Sequence, residues 1–90
     1  MKYDIIRTGK FKRDYKLIKK RGYDVSLLKE VVGILANGET LPAKYKDHTL
    51  KGNWVGHRDC HILDDWLLIY RIDDELALVL SRTGRHSDVF

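Results

Sequence analysis

An α+β fold, with two N-terminal helices packed on a small antiparallel sheet, is what this sequence predicts. Three observations point there. Apolar residues recur at helical spacing in the first half of the chain, and strand-like runs separated by short acidic turns fill the second. A length of 90 residues suits one domain, residues 1–90. The expected order is β-α-α-β-β-β, closed by a short tail or one helical turn.

Tyr3 to Arg7 alternates weakly and carries β-branched residues, which predicts a short first strand. From Phe11 the spacing changes, because Phe11, Tyr15 and Ile18 share one helical face. Gly22 supplies the stop, since glycine adopts a left-handed conformation without steric penalty. Asp24 or Ser26 is placed to cap a second helix whose buried stripe is Leu28, Val31, Val32 and Leu35, and Asn37-Gly38 ends it. Pro42 opens a connection that runs to about Trp54. His57 to Leu63, Trp66 to Ile72 and Leu76 to Arg82 then read as strands, with turns at Asp64-Asp65 and Asp73-Asp74-Glu75. Turns this short demand antiparallel pairing. Thr83-Gly84 is expected to break the last strand.

Composition narrows the classes of function. No apolar run is longer than that of Trp66 to Tyr70, too short for a helix to span a bilayer, and Met1-Lys2-Tyr3-Asp4 has no signal-peptide pattern. A single cysteine, Cys60, rules out an internal disulfide framework. A cytoplasmic domain is expected. The net charge of +4 conceals an asymmetry: residues 1–30 hold 10 basic and 4 acidic side chains, residues 31–90 hold 7 and 9. Most of the excess lies in Lys10, Lys12, Arg13, Lys16, Lys19, Lys20 and Arg21, opposed only by Asp14. Such a stripe can track a phosphate backbone or dock an acidic partner, and it equally describes a solvated helix face.

The ionisable residues suggest chemistry. Strand parity puts His57, Asp59 and His61 on one face, and Arg58, Cys60 and Ile62 on the other, core-directed one. Histidine exchanges protons near neutrality, so two histidines and a carboxylate can supply a base, an acid and an orienting group. A metal site on this face is disfavoured, because same-face neighbours about 7 Å apart strain a three-ligand set. No nucleotide-binding glycine pattern is present, which argues against a nucleotide cofactor. RNA carries its own nucleophile, the 2′-hydroxyl, so its cleavage needs only a base, an acid and a cation on the phosphate. Arg82, at the end of the last strand, and Lys51 are the cations placed with RNA. Trp54 and Trp66 suit core packing, while Phe90 can stack on a base or anchor the tail.

The strings Lys46-Asp47-His48, Leu50-Lys51-Gly52, Arg58-Asp59-Cys60-His61, Asp65-Trp66 and Arg82-Thr83-Gly84, with His86 and Phe90, resemble the YafQ branch of the RelE/ParE toxin superfamily. The resemblance implies a bacterial toxin that is a metal-independent mRNA endoribonuclease without cofactor, acting on messages in the ribosomal A site. It implies neutralisation by a cognate antitoxin with an acidic contact surface. It further implies active-site roles for His48, His61 and His86, with Asp59 and Asp65 as associated carboxylates and Phe90 against RNA. His86 is then the general acid, and His48 or His61 the base. An aromatic residue is expected where His57 stands. The alternatives are a non-catalytic ParE-like inhibitor of DNA gyrase, whose relatives lack the histidine set, and a simple RNA-binding module.

Overall fold

The start of the first helix is set by one side chain. Thr8 Oγ1 accepts the Phe11 N–H at 3.0 Å, so helix α1 (Gly9–Lys20) follows directly on strand β1 (Asp4–Arg7). The computed structural model describes residues 1–90. Gly22, at φ +84°, turns the chain after α1. Asp24 then caps helix α2 (Val25–Ala36) by accepting the Ser26 N–H at 3.0 Å. Phe11 and Ile18 of α1 and Leu28, Val31 and Leu35 of α2 are buried, as their spacing predicts, while Val32 stays at the rim.

The second half forms the expected meander: β3 (Arg58–Leu63), β4 (Trp66–Asp73) and β5 (Ala77–Gly84), paired antiparallel. Asp74 and Glu75, at φ +49° and +58°, make the tight β4–β5 turn. Three features differ from expectation. First, a two-residue strand, β2 (His48–Thr49), lies in the connection after Pro42 and pairs with β3, too short to leave a periodic signal. Second, the sheet is mixed, in the order β1-β5-β4-β3-β2, because β1 runs parallel to β5. Short turns force antiparallel pairing only between the strands they join, and β1 reaches its neighbour through the rest of the chain. Third, β5 continues through Thr83 to Gly84 and then leads into a four-residue helix, α3 (His86–Val89), the single helical turn anticipated for the tail.

The two faces of the sheet are covered unequally. Cys60, Ile62, Trp66, Leu68, Tyr70, Leu78 and Leu80 pack against α1 and α2 in the main core. Trp66 Nε1 donates to Thr83 Oγ1 at 2.9 Å, and Thr83 Oγ1 donates to Leu67 O at 2.8 Å, so both buried polar groups are satisfied. The opposite face carries a small cluster of Leu67, Ile69 and Val89, flanked by Leu50 and Trp54. No helix is long and apolar enough to cross a membrane.

Candidate active site

The thinly covered face collects the ionisable residues. Asp59 and His61 stand opposite Ile69 and Leu67 of β4, and so share that face, while Cys60 points into the main core, as parity predicts. His48 pairs with Asp59 across β2 and β3 and joins them. Its neighbour Asp47 is the anchor. Tyr70 Oη donates to Asp47 Oδ1 at 2.6 Å, and Arg58 Nη2 lies 3.1 Å from Asp47 Oδ2. The bond to Asp47 raises the Arg58 guanidinium pKa, and burial followed by Asp47 raises that of the Tyr70 phenol. With Asp47 held beneath the strand, His48 is presented above it.

His48 Nδ1 lies 2.8 Å from Lys46 O, and a carbonyl only accepts, so Nδ1 donates and Nε2 is the nitrogen turned toward Asp59. That Nε2 sits 3.8 Å from Asp59 Oδ2. His61 Nδ1 makes a longer bond, 3.3 Å, to Asp64 O, and the His48 and His61 rings are 6.3 Å apart. Asp59 is only 4% exposed and its Oδ1 has no hydrogen-bond partner. Burial raises its pKa, against the opposing pull of His48, His61 and His86. A buried carboxylate with an unpartnered oxygen, 3.8 Å from His48, makes this face the candidate site. Beside His61 opens a cleft of about 550 Å³ whose walls include Lys44, Lys46 and Asp65.

α3 delivers the third histidine. Asp65 Oδ1 accepts the His86 N–H at 3.1 Å, so Asp65 holds the start of α3. Arg21 Nη1 reaches Asp88 Oδ2 at 2.9 Å and lowers that carboxyl's pKa. The His86 ring lies 4.9 Å from that of Phe90, which is 49% exposed and meets Trp54 edge-on at 6.2 Å. Trp54 in turn packs edge-on against His57 at 5.1 Å. β3 begins at Arg58, so His57 lies just outside the strand expected to start with it, its Nδ1 buried without a partner. Lys51 is exposed in the connection ahead of Trp54.

Arg82 is more constrained than its expected place among the RNA-contacting residues suggests. Its Nε and Nη2 donate to Asp14 at 2.6 and 3.1 Å, and Nη2 also donates to Asp88 O at 3.2 Å. The Asp14 bond raises the guanidinium pKa. Cys60 is fully buried on the helix side, where burial pushes its thiol pKa up, so it is no nucleophile. No three His, Cys, Asp or Glu side chains converge as a metal-binding set. Sequence reasoning missed the anchoring contacts of Asp14 and Tyr70, which join residues far apart in the chain. Asp47 was within sight, one residue before His48.

Comparison with known proteins agrees with the fold. A mRNA interferase toxin YafQ of Escherichia coli strain K12 is 46% identical over 88 residues, 97% of this chain and 95% of that protein. The crystal structure of the E. coli DinJ-YafQ toxin-antitoxin complex contains a chain that superposes with a TM-score of 0.91 at 43% identity, covering 100% of this chain and 99% of that one. A metal-bound toxin from Helicobacter pylori superposes with a TM-score of 0.92 at 45% identity, over 98% of this chain and 99% of that one. The family model for YafQ, bacterial toxin of type II toxin–antitoxin system, matches residues 3–90, and the chain therefore belongs to the YafQ toxin family.

Proposed function

We propose that the chain is the toxin of a type II pair, an endoribonuclease that cuts mRNA by 2′-hydroxyl attack in the ribosomal A site. The observation that carries the chemistry is the gathering of His48, His61 and His86 around buried Asp59 on one open sheet face. The neutral base takes the 2′-hydroxyl proton as that oxygen bonds to phosphorus. The bond from phosphorus to the 5′-oxygen breaks, and the acid gives that oxygen a proton. The products are a 2′,3′-cyclic phosphate and a 5′-hydroxyl end. His48 is the better-prepared base: its 2.8 Å bond through Nδ1 leaves Nε2 of the neutral ring to take the proton, and Asp59, 3.8 Å from that Nε2, steadies the imidazolium that results. His86 is the acid, with Asp65 holding its helix and Phe90 beside it to stack on an unpaired base. Lys51, and whatever of Arg82 its partners leave free, steady charge on the phosphate.

These steps use no metal, because base, acid and cation are all supplied by side chains. An antitoxin with an acidic contact surface fits the lysines of α1, all exposed. The family relatives crystallised as a DinJ-YafQ complex make such a partner the natural expectation.

Cell-free translation of a defined mRNA tests the reading. Wild type should create new 5′ ends, and only when ribosomes are present. His86→Ala should lower the rate by about 10²–10⁴-fold, the usual loss for one acid–base group. Intact message with wild type sinks the nuclease reading and calls for a gyrase supercoiling assay.

A further inference from the structure

We propose that Asp14 is a positioning residue of the nuclease site, holding Arg82 and, through it, the short helix that carries His86 and Phe90. This rests on the nuclease reading above. β1 ends at Arg7 opposite Leu80, so the stretch of β5 from Ser81 to Gly84 has no strand beside it on that edge. Helix α1 takes the strand's place. Thr8 Oγ1 donates to Ser81 O at 2.9 Å, and Asp14 Oδ2 accepts the Thr83 N–H at 3.1 Å. The same carboxylate grips Arg82 at 2.6 and 3.1 Å, and Arg82 Nη2 reaches Asp88 O, near the end of α3, at 3.2 Å.

A four-residue helix cannot hold its own shape in water, so outside contacts decide where it sits. Asp65 fixes its first N–H, Arg21 its Asp88 side chain and Arg82 its last turn. A cation suits the carbonyl end of a helix. Asp14 is the one carboxylate among the lysines of α1, and its bonds explain its presence there. The basic helix and the helix carrying His86 are thus joined through Asp14–Arg82, 13% and 21% exposed at its two side chains, as well as through Arg21–Asp88 at the end of α1.

The test reads both ends of the chain of contacts. Asp14→Asn keeps an oxygen for the Thr83 N–H but takes the charge from Arg82. It should lower single-turnover RNA cleavage about 10-fold and speed hydrogen exchange at the Val89 and Phe90 amides, which close α3. Amides of β4 should exchange as before. In an Arg82→Ala background, Asp14→Asn should add little, because the two act in series. Arg82→Lys keeps a cation beside Asp14 but loses the fork that reaches Asp88 O, and should loosen the same two amides. Unaltered exchange at Val89 and Phe90, full-rate cleavage, or losses that multiply would each overturn the proposal. If wild type fails to cut RNA, the nuclease reading falls, and the exchange at Val89 and Phe90 still decides whether Asp14 holds the helix.

Discussion

The two faces of one sheet follow opposite rules. On the helix side, Trp66, Leu68, Tyr70, Leu78 and Leu80 meet α1 and α2 in a continuous core whose buried polar atoms, such as Trp66 Nε1, have partners. On the other side a cluster of Leu67, Ile69 and Val89 leaves room for three histidines and an almost fully buried carboxylate with an unpartnered oxygen. Alternate residues of β3 and β4 serve each side, so a single strand such as β3 sends Cys60 into the main core and Asp59 and His61 to the candidate site. The contrast teaches that the larger core satisfies its polar groups, while the smaller cluster has an unpartnered buried carboxylate oxygen beside it, the kind of group that candidate sites display.

This contrast can be broken at several points. The largest effect belongs to the open face: His86→Ala, at an exposed position, should cost two to four decades of cleavage, on the order of 10²–10⁴, while thermal unfolding moves little. Leu68→Ala should do the reverse. Removing that fully buried side chain should cost about 2–5 kcal/mol in denaturant unfolding, with activity per folded molecule retained.

Asp59→Asn sharpens the comparison by moving the two readouts apart. Cleavage should fall about 10–100-fold. Stability should move the other way at neutral pH. Asp59 titrates near 3.8 when unfolded and higher when folded, so the native state binds the proton more tightly. The parent therefore loses stability as pH rises from about 3.8 through the raised value, a loss the uncharged amide avoids. Thermal melts of the two proteins should differ at pH 7 and converge below the ordinary carboxylate range. A parent more stable than Asp59→Asn at every pH would show that Asp59 is a structural anchor. The smallest effect is expected from Tyr70→Phe, which reaches from the core to the site. It removes the 2.6 Å bond to Asp47, leaving Arg58 alone to hold it. Unfolding should show a loss of about 1 kcal/mol, and cleavage a fall smaller than that of Asp59→Asn, through loosened placement of His48.

Much of this arrangement is legible in the residues. Periodicity and capping residues located α1 and α2 within a few positions, and acidic turns located the meander. Strand parity alone put Asp59 and His61 together on the face away from Cys60, and the structure agrees. His57 shows where parity ends, since the ladder begins one residue later and the ring turns to Trp54. Thr83-Gly84, expected to end β5, is inside the strand because the two residues pair with Leu68 and Leu67 of β4.

The sequence by itself thus determined the elements and the side of the sheet each strand residue takes, because helical spacing, turn length and the two-residue pleat act over a few residues. Only the tertiary structure decided that β1 runs parallel to β5, that β2 forms at all, and that Arg82 is held by Asp14, 68 residues away. It also decided that Asp65 receives the His86 N–H and so seats the start of α3. These outcomes depend on which edges and charges meet once the chain has closed on itself, and nothing in local spacing records that meeting.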